Sequence, residues 1–150
     1  MKAIIQRVSQ ASVSVEDKVI SKIDVGYLIL LGIDISDTKE DSLWLANKIS
    51  NLKIFSDKKG NMNASIIDVE GEVIVVSQFT LFAKTKKGNR PSYVNAARVD
   101  KAIPLYMKFK EDLSRLICKD VLSGNFGADM QVSLINDGPV TIIIDTKNKE

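Results

Sequence analysis

The stretch Tyr27-Leu28-Ile29-Leu30-Leu31-Gly32-Ile33 decides the fold class. It is apolar at nearly every position, so a strand built from it would bury both of its faces. Such a strand belongs at the centre of a sheet that is covered on two sides. The run Val73-Ile74-Val75-Val76 has the same character and predicts a second buried strand.

Weaker strand patterns lie on either side of these two runs. Val13-Ser14-Val15 alternates in polarity, and Lys18 to Ile23 continues the pattern after a turn at Glu16-Asp17. Later in the chain, Met130 to Ile135 and Val140 to Ile144 predict two further strands. The chain therefore begins as a β-meander and ends in strands.

Two helices are predicted between the strands. The first spans roughly residues 39 to 51, after Thr38 and Asp41 in a capping-box-like arrangement. The second is expected to begin near Pro104 and to run to about Lys119. It is marked by an apolar stripe at helical spacing, Ile103, Tyr106, Met107, Leu113 and Ile117, together with Lys110. With no repeat or linker, residues 1–150 are predicted to form one α+β domain with a mostly antiparallel sheet.

Composition excludes several kinds of chemistry. The 150 residues are 45% apolar and 27% charged, with a net charge of +2. Histidine is absent, which removes Ser-His-Asp catalysis and the commonest metal ligand. Cys118 is the only cysteine, so no intrachain disulfide forms. No carboxylate pair suggests a metal site, and we expect neither metal nor cofactor. No membrane span or signal peptide is evident, so we expect a cytoplasmic protein.

Two polar segments at strand ends are the candidate site. They are Ser77-Gln78-Phe79-Thr80, after the second buried strand, and Asn136-Asp137-Gly138-Pro139-Val140-Thr141, before the last strand. The hydroxyls of the first segment are candidate nucleophiles, or they cap the strand end, which is the commoner role. A third possibility is that backbone N–H groups of this segment form an oxyanion hole. We favour the third, because no histidine is available as a base.

Gly138-Pro139 is most simply a turn. Only about 5–6% of X-Pro bonds in folded proteins are cis, so the sequence alone favours trans. A cis bond would instead give a rigid edge, able to measure the stereochemistry of a ligand.

A basic cluster follows the first segment, in a loop that contains glycine and asparagine. Its members are Lys84, Lys86, Lys87 and Arg90. Such a run is usually a solvated loop, but beside a candidate site it is a candidate for contact with a nucleic-acid backbone.

Taken together, the two polar segments resemble the paired signature of the D-aminoacyl-tRNA deacylases, also called D-tyrosyl-tRNA deacylases. The resemblance extends over nearly the whole chain. Further similar motifs are Ile5-Gln6-Arg7-Val8, Ile54-Phe55-Ser56-Asp57, Gly60-Asn61-Met62-Asn63, Arg90-Pro91-Ser92 and Phe126-Gly127-Ala128-Asp129-Met130-Gln131-Val132.

The resemblance implies a sheet curled into a partial barrel, and a homodimer. In it, a cis Gly138-Pro139 bond would enter the partner's pocket, where Ser77-Gln78-Phe79-Thr80 would line the site. Arg7 would brace the turn, and Phe126 and Met130 would lie with the substrate. The reaction implied is hydrolysis of the ester of D-aminoacyl-tRNA, with L-amino acids excluded. Glycine that has been mischarged onto tRNA-Ala would also be released. The expected partner is aminoacyl-tRNA, not DNA or a membrane.

Three alternatives stay open at this point. Thr80 either carries the acyl group covalently or only shapes the site, while backbone groups and the tRNA 2′-hydroxyl catalyse. The chain is a deacylase or a non-catalytic tRNA-binding module that uses the Lys84 to Arg90 patch. The chain is a D-aminoacyl-tRNA deacylase or a member of a sister deacylase lineage, which has a trans Gly-Pro bond and tolerates L-alanyl-tRNA.

Overall fold

The predicted central strand is the centre of the observed sheet. The computed structural model describes all residues from 1 to 150. β3 (Gly26–Gly32) lies between β1 (Lys2–Val15), to which it is antiparallel, and β6 (Glu72–Ser77), to which it is parallel. Six of the seven residues of β3 are buried, as an apolar run of this kind requires.

The remaining strands extend the sheet into a nearly closed barrel. Along the sheet the order is β2-β1-β3-β6-β7, and β8 pairs with β1. A separate hairpin is formed by β4 and β5. The bounds are β2 Lys18–Ile23, β4 Phe55–Ser56, β5 Met62–Ala64, β7 Leu122–Ser123 and β8 Gln131–Asp145. The predicted α+β class is confirmed; two pairings, β3 with β6 and β6 with β7, are parallel.

The first helix begins where the sequence predicts. α1 spans Lys39–Ser50, and the carboxylate of Asp41 accepts hydrogen bonds from the backbone N–H and hydroxyl of Thr38. Leu45 and Ile49 are fully buried on the face that meets α2 and the sheet. The apolar spacing therefore set the orientation of this helix.

The second helix begins earlier than predicted. α2 spans Val99–Ile117, so Pro104 lies inside it rather than at its start. The missing N–H of Pro104 deprives only the carbonyl of Asp100, and both residues are exposed, so water can replace that bond. The predicted apolar stripe was also partly wrong: Phe109 is 0% exposed, whereas Ile103 and Met107 face solvent. Packing against the sheet, not the local pattern, chose the buried face.

The core has two parts, one on each face of the sheet. The larger contains 23 buried residues and joins the sheet to α1 and α2, with Ile29 and Leu31 from β3. The smaller contains seven buried residues, among them Leu28, Ile74 and Val76, on the opposite face. Neither helix is long and apolar enough to cross a membrane.

Candidate active site

A cavity of about 490 Å³ opens where β3 and β6 end. Its other walls are the beginning of α2 and the segment between β7 and β8. Eleven of its 16 lining residues are hydrophobic, which suits an apolar or aromatic ligand group. The lining consists of Leu31, Ile33, Val76, Ser77, Gln78, Phe79, Ala97, Arg98, Val99, Ala102, Phe126, Gly127, Ala128, Asp129, Met130 and Val132.

The first polar segment forms one wall of this cavity. β6 ends at Ser77, and a 3-10 turn follows over Phe79–Phe82. The backbone N–H of Gln78 donates to the carbonyl of Leu31 at 2.8 Å, which fixes the chain against the end of β3. The side-chain amide of Gln78 donates to the hydroxyl oxygen of Thr80. Ser77, Gln78 and Phe79 line the cavity, and Thr80 does not.

Phe126 and Met130 belong to the same cavity, as part of another wall. The ring of Phe126 meets that of Tyr106 edge to face, with centroids 5.4 Å apart. The hydroxyl of Tyr106 donates to the carbonyl of Val75 at 2.7 Å, and burial raises the pKa of Tyr106 to about 12. Tyr106 is thus a neutral donor that ties α2 to β6, directly behind Phe126.

A third wall, at the start of α2, was missed from the sequence. It includes Arg98, the residue before the helix. Two backbone hydrogen bonds fix this segment: the Ala97 N–H donates to the carbonyl of Ile33 at 2.8 Å, and the Ile35 N–H donates to the carbonyl of Asn95 at 3.0 Å. The omission follows from placing the helix start at Pro104. Asp100, an acidic residue in the first turn, was the available signal for the earlier start.

The second polar segment forms a protruding turn within β8. In the pairing of β1 with β8, Gln6 is opposite Thr141 and Val8 is opposite Asn136. Between these pairs β1 has only Arg7, whereas β8 has the four residues 137–140. The surplus residues leave the ladder as an irregular turn, in the manner of a large bulge.

The side chain of Asn136 closes this turn. Its Oδ1 accepts from the backbone N–H of Val140 at 3.0 Å, and its Nδ2 donates to the hydroxyl of Thr141 at 2.9 Å. The Gly138-Pro139 peptide bond is cis, and both of its residues are exposed. Gly138 has a φ of 132°, which residues with a side chain rarely adopt.

Arg7 supports the turn from beneath. Its Nε donates to the carbonyl of Asp137 at 3.0 Å and its Nη1 to the carbonyl of Ile54 at 2.5 Å. The Arg7 side chain is only 12% exposed. Its guanidinium therefore lies in a largely buried position, where it joins two separate parts of the chain. One charge-assisted hydrogen bond holds the guanidinium on Ile54 and the other holds the turn at Asp137, so Arg7 restricts the orientation of the turn.

The predicted site residues thus fall into separate groups. Ser77, Gln78, Phe79, Phe126 and Met130 share the cavity, whereas Arg7 and Gly138-Pro139 are absent from its lining. The basic cluster of Lys84, Lys86, Lys87 and Arg90 is exposed and is also outside the lining.

The cavity offers few ways to perform chemistry. Its polar groups are a hydroxyl, an amide, one carboxylate, the Arg98 guanidinium and backbone groups. No cluster of three or more histidine, cysteine or carboxylate side chains lies anywhere in the molecule. Such a site can bind a ligand with an apolar group and stabilise an oxyanion with backbone donors.

Comparison with known proteins identifies the family of the chain. The family model described as D-Tyr-tRNA(Tyr) deacylase matches residues 4–145. A D-aminoacyl-tRNA deacylase of Flavobacterium psychrophilum is 61% identical, and one of Bacteroides thetaiotaomicron is 57% identical; each match covers all of both chains. The chain is therefore a hydrolase that acts on an ester bond. It belongs to the D-Tyr-tRNA(Tyr) deacylase family.

Two solved structures share the fold. One, titled "c-Myc DNA Unwinding Element Binding Protein", has a TM-score of 0.91 and 41% identity, over 97% of this chain and 98% of that chain. The other, titled a probable eukaryotic D-amino acid tRNA deacylase, has a TM-score of 0.83 over 95% of this chain and 97% of that chain. At 18% identity, the second supports the fold alone.

Proposed function

We propose that the protein hydrolyses the ester of D-aminoacyl-tRNA and releases free tRNA and the D-amino acid, as a cytoplasmic enzyme. The observation that carries the proposal is the cavity, which has Ser77, Gln78 and Phe79 in one wall and Phe126 in another. Aromatic and apolar walls suit the terminal adenosine and a tyrosyl side chain. Membership of the deacylase family supports the same substrate class.

Catalysis is proposed to use backbone donors rather than a side-chain nucleophile. Residues 79–82 form a 3-10 turn, and the first N–H groups of such a turn have no acceptor within it. They are suited to stabilise the oxyanion that develops when water attacks the ester. The ribose 2′-hydroxyl next to the ester is positioned to orient that water. The hydroxyl of Thr80 is bound by Gln78 and lies outside the lining, which argues against covalent attack.

Stereochemical selection is proposed to come from a second copy of the chain. The Gly138-Pro139 turn is exposed and absent from its own cavity lining, yet Arg7 and Asn136 fix its shape. In a homodimer the turn would enter the partner's cavity and leave no room for an L side chain. A hydrogen in that position would fit, so glycyl-tRNA is also a proposed substrate.

The direct test compares D-tyrosyl-tRNA, L-tyrosyl-tRNA and glycyl-tRNA in one deacylation assay, with wild type and Pro139→Ala. We expect wild type to release D-tyrosine and glycine but not L-tyrosine, and Pro139→Ala to lose activity or selectivity. Cleavage of D-tyrosyl-tRNA with glycyl-tRNA intact at high enzyme excess would contradict exclusion by size. L-alanyl-tRNA is added as a fourth substrate, and rapid release of L-alanine from it would favour the sister lineage.

A nucleic-acid-binding module is the second candidate. The exposed basic cluster favours it, and a protein 41% identical to this chain is titled a DNA unwinding element binding protein. Such a module would bind tRNA or DNA with a steep salt dependence and would ignore the chirality of the amino acid. Binding without release of any amino acid in the assay above would favour it over the deacylase.

A further inference from the structure

An exposed pair of aromatic rings lies at the rim of the cavity. The rings of Phe79 and Tyr93 meet edge to face, with centroids 5.0 Å apart and planes at 74°. Phe79 is 57% exposed and Tyr93 36% exposed, although large aromatic side chains are usually buried. Phe79 also lines the cavity, so the pair connects the cavity with the surface beyond it.

The basic cluster is carried by the loop that joins these two aromatic residues. Lys84 and Ser92 exchange two backbone hydrogen bonds, of 2.8 and 3.0 Å, and so close the base of the loop. Tyr93 follows immediately. Lys84 is one end of the loop, and the other three cations, Lys86, Lys87 and Arg90, lie between the two ends. Cations and an exposed aromatic pair are thus held on one short segment.

This combination is what single-stranded nucleic acid requires. Bases stack on aromatic faces, while a cationic surface follows the phosphates. A tRNA ends in an unpaired strand, and the proposed function places its last nucleotide in the cavity together with the amino acid. We propose that Tyr93, paired with Phe79, is a stacking platform for the nucleotide next to the terminal adenosine, with the basic loop along its phosphates. The proposal rests on the proposed function and adds Tyr93 to its substrate-binding residues.

The first test separates the tRNA strand from the reacting ester. Tyr93→Leu keeps apolar volume but removes the ring, and Tyr93→Phe keeps the ring. With D-tyrosyl-tRNA, we expect Tyr93→Leu to raise KM about tenfold with little change in kcat, and Tyr93→Phe to match wild type. With D-tyrosyl-adenosine, which has no neighbouring nucleotide, both variants should behave as wild type. Val94→Ala, an adjacent exposed apolar position, is the matched control.

Equal effects of Tyr93→Leu on both substrates, or no effect on either, would overturn the platform. The second test does not depend on hydrolysis: it compares binding of uncharged tRNA with binding of the same tRNA lacking its unpaired 3′ end. We expect wild type to prefer the intact tRNA, and Tyr93→Leu to lose most of that preference. No preference in wild type would refute the platform. If Tyr93→Leu lost this preference but wild type cleaved neither D-tyrosyl-tRNA nor D-tyrosyl-adenosine, the platform would stand and only the proposed function would be refuted.

Discussion

The two polar segments are built in opposite ways. Residues 77–80 turn back against the end of β3 and contribute three residues to a cavity within their own chain. In residues 136–141 the two ends pair with β1, and residues 137–140 between them leave the ladder, with Gly138 and Pro139 exposed. Both are held by specific hydrogen bonds, so neither is a loose loop. The first segment lines a cavity of its own chain, whereas the second projects from the surface and is proposed to act in the cavity of a second copy.

The strongest test of this contrast is complementation between two inactive variants. Gly138→Ala damages the turn, because a Cβ there would lie 2.9 Å from Cγ2 of Val140 and 3.0 Å from Nη2 of Arg7. Ala128→Trp instead fills the cavity. We expect each variant to lose about 10²-fold in kcat/KM. After unfolding and refolding the two together, about a quarter of wild-type activity should return, because mixed dimers have one intact site.

Gly60→Ala is the control for the backbone conformation. Gly60 also has a positive φ, of 82°, but no atom lies within 4 Å of the position of its Cβ. It should lose about 1 kcal/mol of stability and keep its activity. If mixing the two inactive variants restored nothing, although both were folded and dimeric by ultracentrifugation, the turn would not act across subunits.

Arg7→Lys tests the contrast between the two segments, because it weakens the support of the Gly138-Pro139 turn and leaves residues 77–80 unchanged. A lysine ammonium lacks the planar fork that reaches the carbonyls of Asp137 and Ile54 together. We expect kcat/KM for D-tyrosyl-tRNA to fall about tenfold, from the loss of one charge-assisted hydrogen bond. Arg115→Lys on α2 is the matched control: Arg115 is outside the cavity lining, and a lysine keeps the positive charge beside the buried carboxylate of Asp112, which Lys108 also contacts, so kcat/KM should not change. A lower melting temperature with unchanged kcat/KM would show that Arg7 only stabilises the fold.

Thr80→Ala tests whether the first segment works through its backbone. Because Thr80 accepts a hydrogen bond from Gln78 and lies outside the cavity lining, we expect only a few-fold loss of kcat. Replacing the terminal adenosine by 2′-deoxyadenosine should have the larger effect. Mass spectrometry of the quenched reaction should detect no acyl-enzyme. An inactive Thr80→Ala together with a trapped acyl-threonine would establish the covalent route.

The smallest effect is expected behind the cavity, at Tyr106. Tyr106→Phe removes the shorter of two hydrogen bonds to the carbonyl of Val75 and leaves only the bond from the Gly124 N–H, at 3.4 Å. We therefore expect a loss of about 1 kcal/mol in urea unfolding at pH 7, with kcat unchanged. Because burial raises the folded-state pKa to about 12, the tyrosine contributes stability below pH 10. Wild type should lose its advantage over Tyr106→Phe as the pH rises from 10 to 12. A constant difference would contradict a buried, neutral hydroxyl.

Local patterns were sufficient where a strand or helix met the core in the simplest way. The unbroken apolar run predicted β3, and Thr38 with Asp41 predicted the start of α1. They were insufficient at α2, where Pro104 indicated a start five residues too late. That error also hid Arg98, because the third wall of the cavity depends on where this helix begins.

The sequence by itself determined the two buried strands β3 and β6, the first helix, the two polar segments and the absence of histidine chemistry, because these depend on residue types and on spacing within the chain. It predicted two strands over residues 130–135 and 140–144, where the structure has the single strand β8, and it did not predict β4, β5 or β7. Only the tertiary structure decided that residues 77–79 and Phe126 share a cavity. It also decided that four residues of β8 stand opposite Arg7 alone. Both facts concern distant parts of the chain, whose register is chosen by packing of the whole sheet rather than by any local preference.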